Sequence, residues 1–393
     1  MPQPGLKTRL AALDGLRLVA ALMVVVYHYA ALSRPWGHDP ATIFPTLQNF
    51  AQFGWLGVEI FFVVSGFVIC MSVWGRTVGD FAISRVSRLF PAYWVAVPLT
   101  ALVVKIWPEV HSIRGWDDVL VNLTMLQAGN NTRNIDDVYW TLFVELKFYV
   151  LMAVVVLCGV TYRNMVVFCG VWTVAAALAP SLGSPLLAAF AMPTYAPFFI
   201  AGIAFYLMRR YGSNPMLWAI VLMQLLLSQR YVHYRMEINL GKAAADLLPT
   251  WPVRLIMIAG FGIIAAIALG AFDKIQWKWL STAGAITYPF YLIHMYIGMT
   301  LIHHFRNRVP AAVLLVSVTV LMMVTAWLIH RLVERPVGKW LRDAMRRGVD
   351  DVRRNTPARK RPRTTPGVQA QAAQAPTAGP SEELQIPVSS PVG

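Results

Sequence analysis

The sequence predicts an all-α fold: a polytopic bundle of about ten transmembrane helices, followed by a disordered, basic C-terminal tail. Three observations carry this. The 393 residues are 57% hydrophobic and 13% charged, against about 25% charged in soluble domains. Apolar runs of roughly the 20 residues needed to cross a bilayer recur along the chain. Arg and Lys, which leave a net charge of +15, crowd the short loops and the C-terminal segment, as expected of cytoplasmic faces. With no matching motif, that distribution excludes nucleic acid as a partner and points to the lipid bilayer.

Spans are predicted at 11–32, 55–74, 90–107, 138–159, 165–181, 191–208, 214–230, 252–271, 282–304 and 310–330. The first follows Lys7 and Arg9 but holds Asp14, Arg17 and His28 and lacks a small-x-small cleavage site. It is therefore expected to stay as a helix, not to be removed as a signal peptide. The third follows the basic pair Arg85 and Arg88, and the seventh, around Leu217–Leu227, is the shortest. An even count puts both termini on one side. Lys7, Arg9 and Arg17 at one end and the basic run from Arg331 at the other make that side cytoplasmic, with the bundle in the plasma membrane. Two longer segments, 107–139 and 231–251, then lie outside. The membrane domain is placed at 1–341. The remainder, 342–393, turns Arg-rich and then Pro/Ala/Gln-rich without apolar periodicity, and is expected to be a disordered cytoplasmic tail. Cys70, Cys158 and Cys169 all fall in apolar runs, which argues against a disulfide framework. No Gly-rich phosphate loop or Cys/His metal spacing is present.

The first span carries the most chemistry. His28 follows Arg17 by eleven positions, which leaves the two within about 20° on one helical face and about 16 Å apart along the axis. Asp14 shares that face, one turn before Arg17. Ionisable groups inside a span are costly unless they face a polar interior, so they default to a functional reading. Asp14 and Arg17 also admit a second reading, as a snorkelling pair at the interface. A histidine as deep as His28 is either a hydrogen-bonded structural group or a general base that titrates near neutral pH.

Around this pair the sequence resembles the acyltransferase-three family, multi-pass membrane enzymes that O-acylate glycans and small molecules. Arg17 with ten residues before His28 is similar to the family's hallmark pair. Gly57-Val58-Glu59-Ile60-Phe61-Phe62-Val63-Val64-Ser65-Gly66-Phe67 resembles its second-helix signature, with Glu59 where Asp is more usual. Arg85-Val86-Ser87-Arg88-Leu89-Phe90-Pro91-Ala92-Tyr93-Trp94 resembles its basic loop, and Trp140-Thr141-Leu142-Phe143-Val144-Glu145 its Trp-Ser-Leu-x-x-Glu block, with Thr for Ser. Tyr288, Tyr291, Leu292 and His294, then Glu334-Arg335-Pro336, complete the order. Each motif is weak alone; six in sequence are specific, and they cover Leu10 to Trp340.

The resemblance implies an acyl-CoA, expected to be acetyl-CoA, as a co-substrate in place of a tightly bound cofactor. Arg85 and Arg88, spaced i, i+3, would hold the phosphates of coenzyme A. Arg17 would guide the pantetheine arm or polarise the acyl carbonyl, and His28 would deprotonate the acceptor hydroxyl. Glu145 would orient or deprotonate the acceptor, with a bundle salt bridge as the other reading. Asp14, Glu59, Trp140 and His294 are candidate substrate contacts, His294 being equally a structural histidine placed mid-helix. The rival reading is a proton-coupled secondary transporter in which His28, Glu145 and His294 relay protons. No internal repeat or broken-helix pair is evident to support it. The acceptor, a cell-surface glycan or a macrolide-like metabolite, is not specified by the sequence, nor is an oligomeric state.

Overall fold

In chain order the main helices are α1 (Ala11–Ala30), α2 (Gly57–Val73), α3 (Val78–Ile106), α4 (Trp140–Leu157), α5 (Tyr162–Leu182), α6 (Ala196–Tyr211) and α7 (Pro215–Arg230). They continue as α8 (Val232–Leu240), α9 (Trp251–Ala268), α10 (Lys278–Ile293), α11 (Met295–Phe305), α12 (Ala311–Ile329) and α13 (Arg335–Asn355). These belong to a computed structural model that describes residues 10–355, and there are no strands among the described residues. Among the described residues, eight helical segments are long and apolar enough to cross a membrane, nine if the bent pair α10–α11 counts as one span. The span expected at 214–230 forms α7, whose 16 residues fall short of the roughly 20 a straight crossing requires.

α1 packs against α2 backbone to backbone, because glycine removes the spacer. A Cβ on Gly57 would stand 2.3 Å from the Ala20 carbonyl oxygen, and one on Gly54 would stand 2.1 Å from that of Met23. α2 meets α6 in the same way through Gly66 and Gly202, whose Cβ positions fall 2.1 Å from the carbonyl oxygens of Phe199 and Val63. Small residues at helix contacts let dispersion forces act at short range where no hydrophobic drive separates protein from lipid. α10 closes the other side of α1, so the polar residues of α1 look into protein.

α3 begins at Val78, capped by Thr77, whose Oγ1 accepts from the Asp80 N–H at 3.2 Å. Arg85 and Arg88 therefore lie well inside this helix, not in a loop before the span. The ninth span departs most from expectation. It breaks at His294, where α10 and α11 meet at 66°. Pro289, inside α10, lacks the N–H that would bond one turn back and weakens the ladder just ahead of the bend. His294 is thus at a break and not mid-helix. The orphan N–H of Tyr296 at the start of α11 is satisfied by Asp136 Oδ2 at 3.1 Å, an interaction favoured by the positive end of the half-helix.

α12 passes into α13 through one π-helical turn, His330–Glu334. Helix continues from there to Asn355, past the predicted domain boundary at 341, its charged residues interleaved with apolar ones at helical spacing. The rest of the segment expected to be a disordered tail, 356–393, lies outside the described residues. All three cysteines are free thiols, Cys70 and Cys169 buried and Cys158 exposed.

Candidate active site

Two cavities that share lining residues lie at the basic end of the bundle. The outer one, about 600 Å³, lies between α1, α2, α3, α10 and α13 and is lined by Asp14, Arg17, Arg85, Arg88, Glu334 and the cations of α13. The inner one, about 100 Å³, is lined by Val58, Phe61, Phe62 and Leu142 together with Arg17, Arg88, Ser65, Thr141, Glu145 and Tyr291. Arg17, Arg88 and Gly284 line both. They form the throat between a wide, cationic mouth and a narrow, mostly apolar chamber. Glycine at 284 is required, since a Cβ there would fall 2.4 Å from Asp14 Oδ1.

In the inner chamber Ser65 Oγ donates to Glu145 Oε1 at 2.6 Å. The serine of the second-helix signature therefore fixes the carboxylate of the fourth. The Tyr291 hydroxyl stands 3.1 Å from Thr141 Oγ1. Arg17, Arg88 and Glu145 are brought together here.

His28 and His294 pair with each other, one layer beyond Tyr291. His28 Nδ1 lies 2.9 Å from His294 Nε2, and His294 Nδ1 lies 2.7 Å from the Tyr291 carbonyl oxygen. A carbonyl only accepts, so His294 Nδ1 carries a proton and donates it. Neutral His294 then presents Nε2 as an acceptor, and His28 Nδ1–H donates to it. The chain of bonds leaves His28 Nε2 with a free lone pair. At the break the His294 carbonyl accepts from Tyr29 OH at 2.6 Å as well as from the Gly298 N–H at 3.1 Å. Gly298, one turn on, leaves room for the tyrosine, whose oxygen a Cβ there would strike.

Glu59 and Trp140 belong to a third group. Glu59 Oε1 accepts from Arg235 Nε at 2.9 Å and Nη2 at 2.8 Å, an ion pair buried on both sides. The guanidinium also donates to Tyr195 OH at 3.2 Å and lies over the rings of Trp55, Trp140 and Tyr195. The Glu59 charge is therefore neutralised within the protein. Arg235 falls in the segment 231–251 that the sequence places outside the spans; α8 folds it inward, and only the buried carboxylate at 59, which needs a partner, points to it.

The segment between α3 and α4 caps the broken helix. Beyond Asp136, the Tyr296 hydroxyl bonds Asp137 and accepts from Arg34 Nη1 at 3.2 Å, and the His111 ring stacks on that of Tyr296 at 4.1 Å. Burial, then the adjacent Arg133, lowers the His111 pKa to about 4, with Asp137 opposing and Arg34 assisting.

Fold and site define a multi-pass membrane protein that surrounds an internal two-part cavity with buried ionisable side chains. The chain belongs to the acyltransferase family its motifs resemble: a family model described as an acyltransferase domain matches residues 10–331. Among curated relatives, the peptidoglycan O-acetyltransferase OatA of Listeria monocytogenes is 26% identical over 36% of this chain and 23% of its own length. The acyltransferase MdmB of Streptomyces mycarofaciens is 28% identical over 36% of this chain and 38% of its own. An O-acetyl transferase of Shigella phage Sf6 is 41% identical over 20% of this chain and 22% of its own. This chain spans well under half the length of each of these relatives. No solved structure matches it.

Proposed function

We propose that the protein is an O-acyltransferase that moves an acetyl group from acetyl-CoA to a hydroxyl of a carbohydrate or small-molecule acceptor, a cell-surface glycan or a macrolide-like metabolite. The two cavities, with Arg17, Arg88 and Gly284 common to both, carry the reading. The outer one falls in the size range of small-molecule sites, roughly 300–1,000 Å³, and its cations suit a polyphosphate. The inner one suits a thioester and a short acyl group. The relatives' names support O-acetyl transfer, and the basic end, read as cytoplasmic, is where acyl-CoA is available.

On this reading Arg85 and Arg88 hold donor phosphates, and Arg17 sits where the pantetheine arm passes and faces the acyl carbonyl. His28 Nε2 takes the proton of the acceptor hydroxyl as its oxygen attacks the thioester carbonyl. The C–S bond breaks, the thiolate leaves as CoA, and the imidazolium returns its proton to sulfur. Through the reaction His28 Nδ1–H stays bonded to His294, which keeps the ring oriented and its reactive nitrogen unique. Glu145, held by Ser65, is placed to orient the acceptor.

A second reading, a proton-coupled transporter, draws on the broken helix at His294, since broken helices line transport sites. One experiment separates the two. Protein in nanodiscs is given acetyl-CoA with peptidoglycan fragments or a macrolide, and products are weighed by mass spectrometry. The expected outcome is an acetyl ester on the acceptor and one free CoA per ester formed. Substrate flux across proteoliposomes with no acetylated product would overturn the enzyme reading.

A further inference from the structure

Arg85 and Arg88 are not the only cations of the mouth. Arg335, Lys339 and Arg342 of α13 line the outer cavity as well. At i, i+4 and i+7 they lie along one helical face. That face is held to α3 at close range: a Cβ on Gly338 would stand 2.7 Å from the Ser87 carbonyl oxygen, and Arg342 Nε lies 3.5 Å from Ser87 Oγ. The π-helical turn before α13 sets the rotation. There Arg335 Nε donates to His330 Nε2 at 3.1 Å, and His330 Nδ1 donates to Glu334 Oε2 at 2.8 Å, so Glu334 is engaged. Among the described residues, six cationic side chains thus line the cavity against two carboxylates, Asp14 and Glu334, an excess matched by the diphosphate and the phosphomonoester of coenzyme A.

The order of groups along the donor divides these cations. The pantetheine arm leaves from the diphosphate, so the diphosphate must sit nearest the throat, where Arg88 and Arg17 line both cavities. The 3′-phosphate hangs from the ribose on the far side. The cations of α13 line the outer cavity alone. Resting on the donor site described above, we propose that Lys339 and Arg342, with Arg335 beside them, form the subsite for the 3′-phosphate. They make the protein selective for free CoA thioesters over thioesters of phosphopantetheine, which end at the phosphate next to the arm.

The test compares acetyl-CoA with its 3′-dephospho analogue as donors for wild type and for the Lys339→Gln/Arg342→Gln variant in nanodiscs. Wild type should show a KM at least tenfold lower for acetyl-CoA, the size expected from losing charge-assisted bonds to one phosphate. In the variant the ratio of the two KM values should fall towards one. If the double variant does not elute as a folded protein, Lys339→Gln alone is used, and the wild-type ratio needs no variant. Equal KM values for both donors in wild type, or a tenfold ratio kept in the variant, overturns the subsite. Acetyl transfer from neither donor overturns the donor reading itself, and the subsite with it.

Discussion

A histidine whose Nδ1 proton is committed to a neighbour has one nitrogen left for chemistry, and at His28 the neighbour is itself held by a carbonyl. On the proposed reading this makes His294 a positioning residue with a measurable signature. His28→Gln should reduce acetyl transfer at least a hundredfold, as expected for loss of a general base, while still binding acetyl-CoA. His294→Leu, which deletes the acceptor of the His28 proton, should lower kcat by about a hundredfold with little change in donor KM. His294→Gln, whose amide oxygen still accepts, should recover part of that loss. Full turnover in His294→Leu would show that the pair is only structural. In the segment that caps the broken helix, His111 carries a titration that bears on stability. Its pKa falls from 6.5 to about 4 on folding, so between those values the unfolded chain holds a proton that the folded one refuses. Stability from this site is complete above about 6.5 and is lost as pH falls towards 4. Thermal unfolding in nanodiscs should show the loss in wild type and a shallower one in His111→Phe, which keeps the stack without the titration.

At the scale of elements, glycines decide where helices meet and where the cavity narrows. Gly284→Ala places a methyl group against Asp14 at the throat and should cut kcat/KM for acetyl-CoA at least tenfold by displacing the side chains that line the passage. The same overlap should lower the melting temperature, so kcat/KM is compared on protein that elutes folded; a folded variant of wild-type efficiency would remove the throat from the donor path. Much at this scale was legible from sequence. Apolar length gave the spans, and helical periodicity put Arg17 and His28 on one face of α1. The break at His294 was not legible, because Pro289 is common enough in spans and the feature that completes the break, Asp136, lies over a hundred residues away in a loop. Arg235 escaped for a related reason: a short helix after α7 turns a charge inward, and no local pattern reports where an arginine points. α13 was cut short because its charge content reads as tail, while its face towards the mouth depends on Gly338 meeting Ser87.

At the scale of the whole molecule, orientation links the cavities to the two sides of a membrane. Reporter fusions after Arg354 and between Arg76 and Arg85 should both report cytoplasm, and one near Asn131 the exterior. An exterior signal from the Arg76–Arg85 segment would put the cationic mouth on the side without acyl-CoA and overturn the donor assignment. The candidate site was legible in its parts but not in its grouping. The motifs named Arg17, Arg88 and Glu145, which share the inner chamber, and they named His28 and His294, which bond to each other. Glu59 and Trp140 sit apart, joined by Arg235, because a buried carboxylate in a span is stable only with a cation beside it.

The throat formed by Arg17, Arg88 and Gly284 has a consequence for transport. It stands between a chamber wide enough for a nucleotide and one too small for it. On the proposed reading the nucleotide never leaves the cytoplasm and the acceptor never enters it. What crosses is two carbons and one oxygen, passed from sulfur to a hydroxyl. The protein would then export acetyl groups without a gradient or an opening pore, with direction set by the free energy released when a thioester becomes an ester.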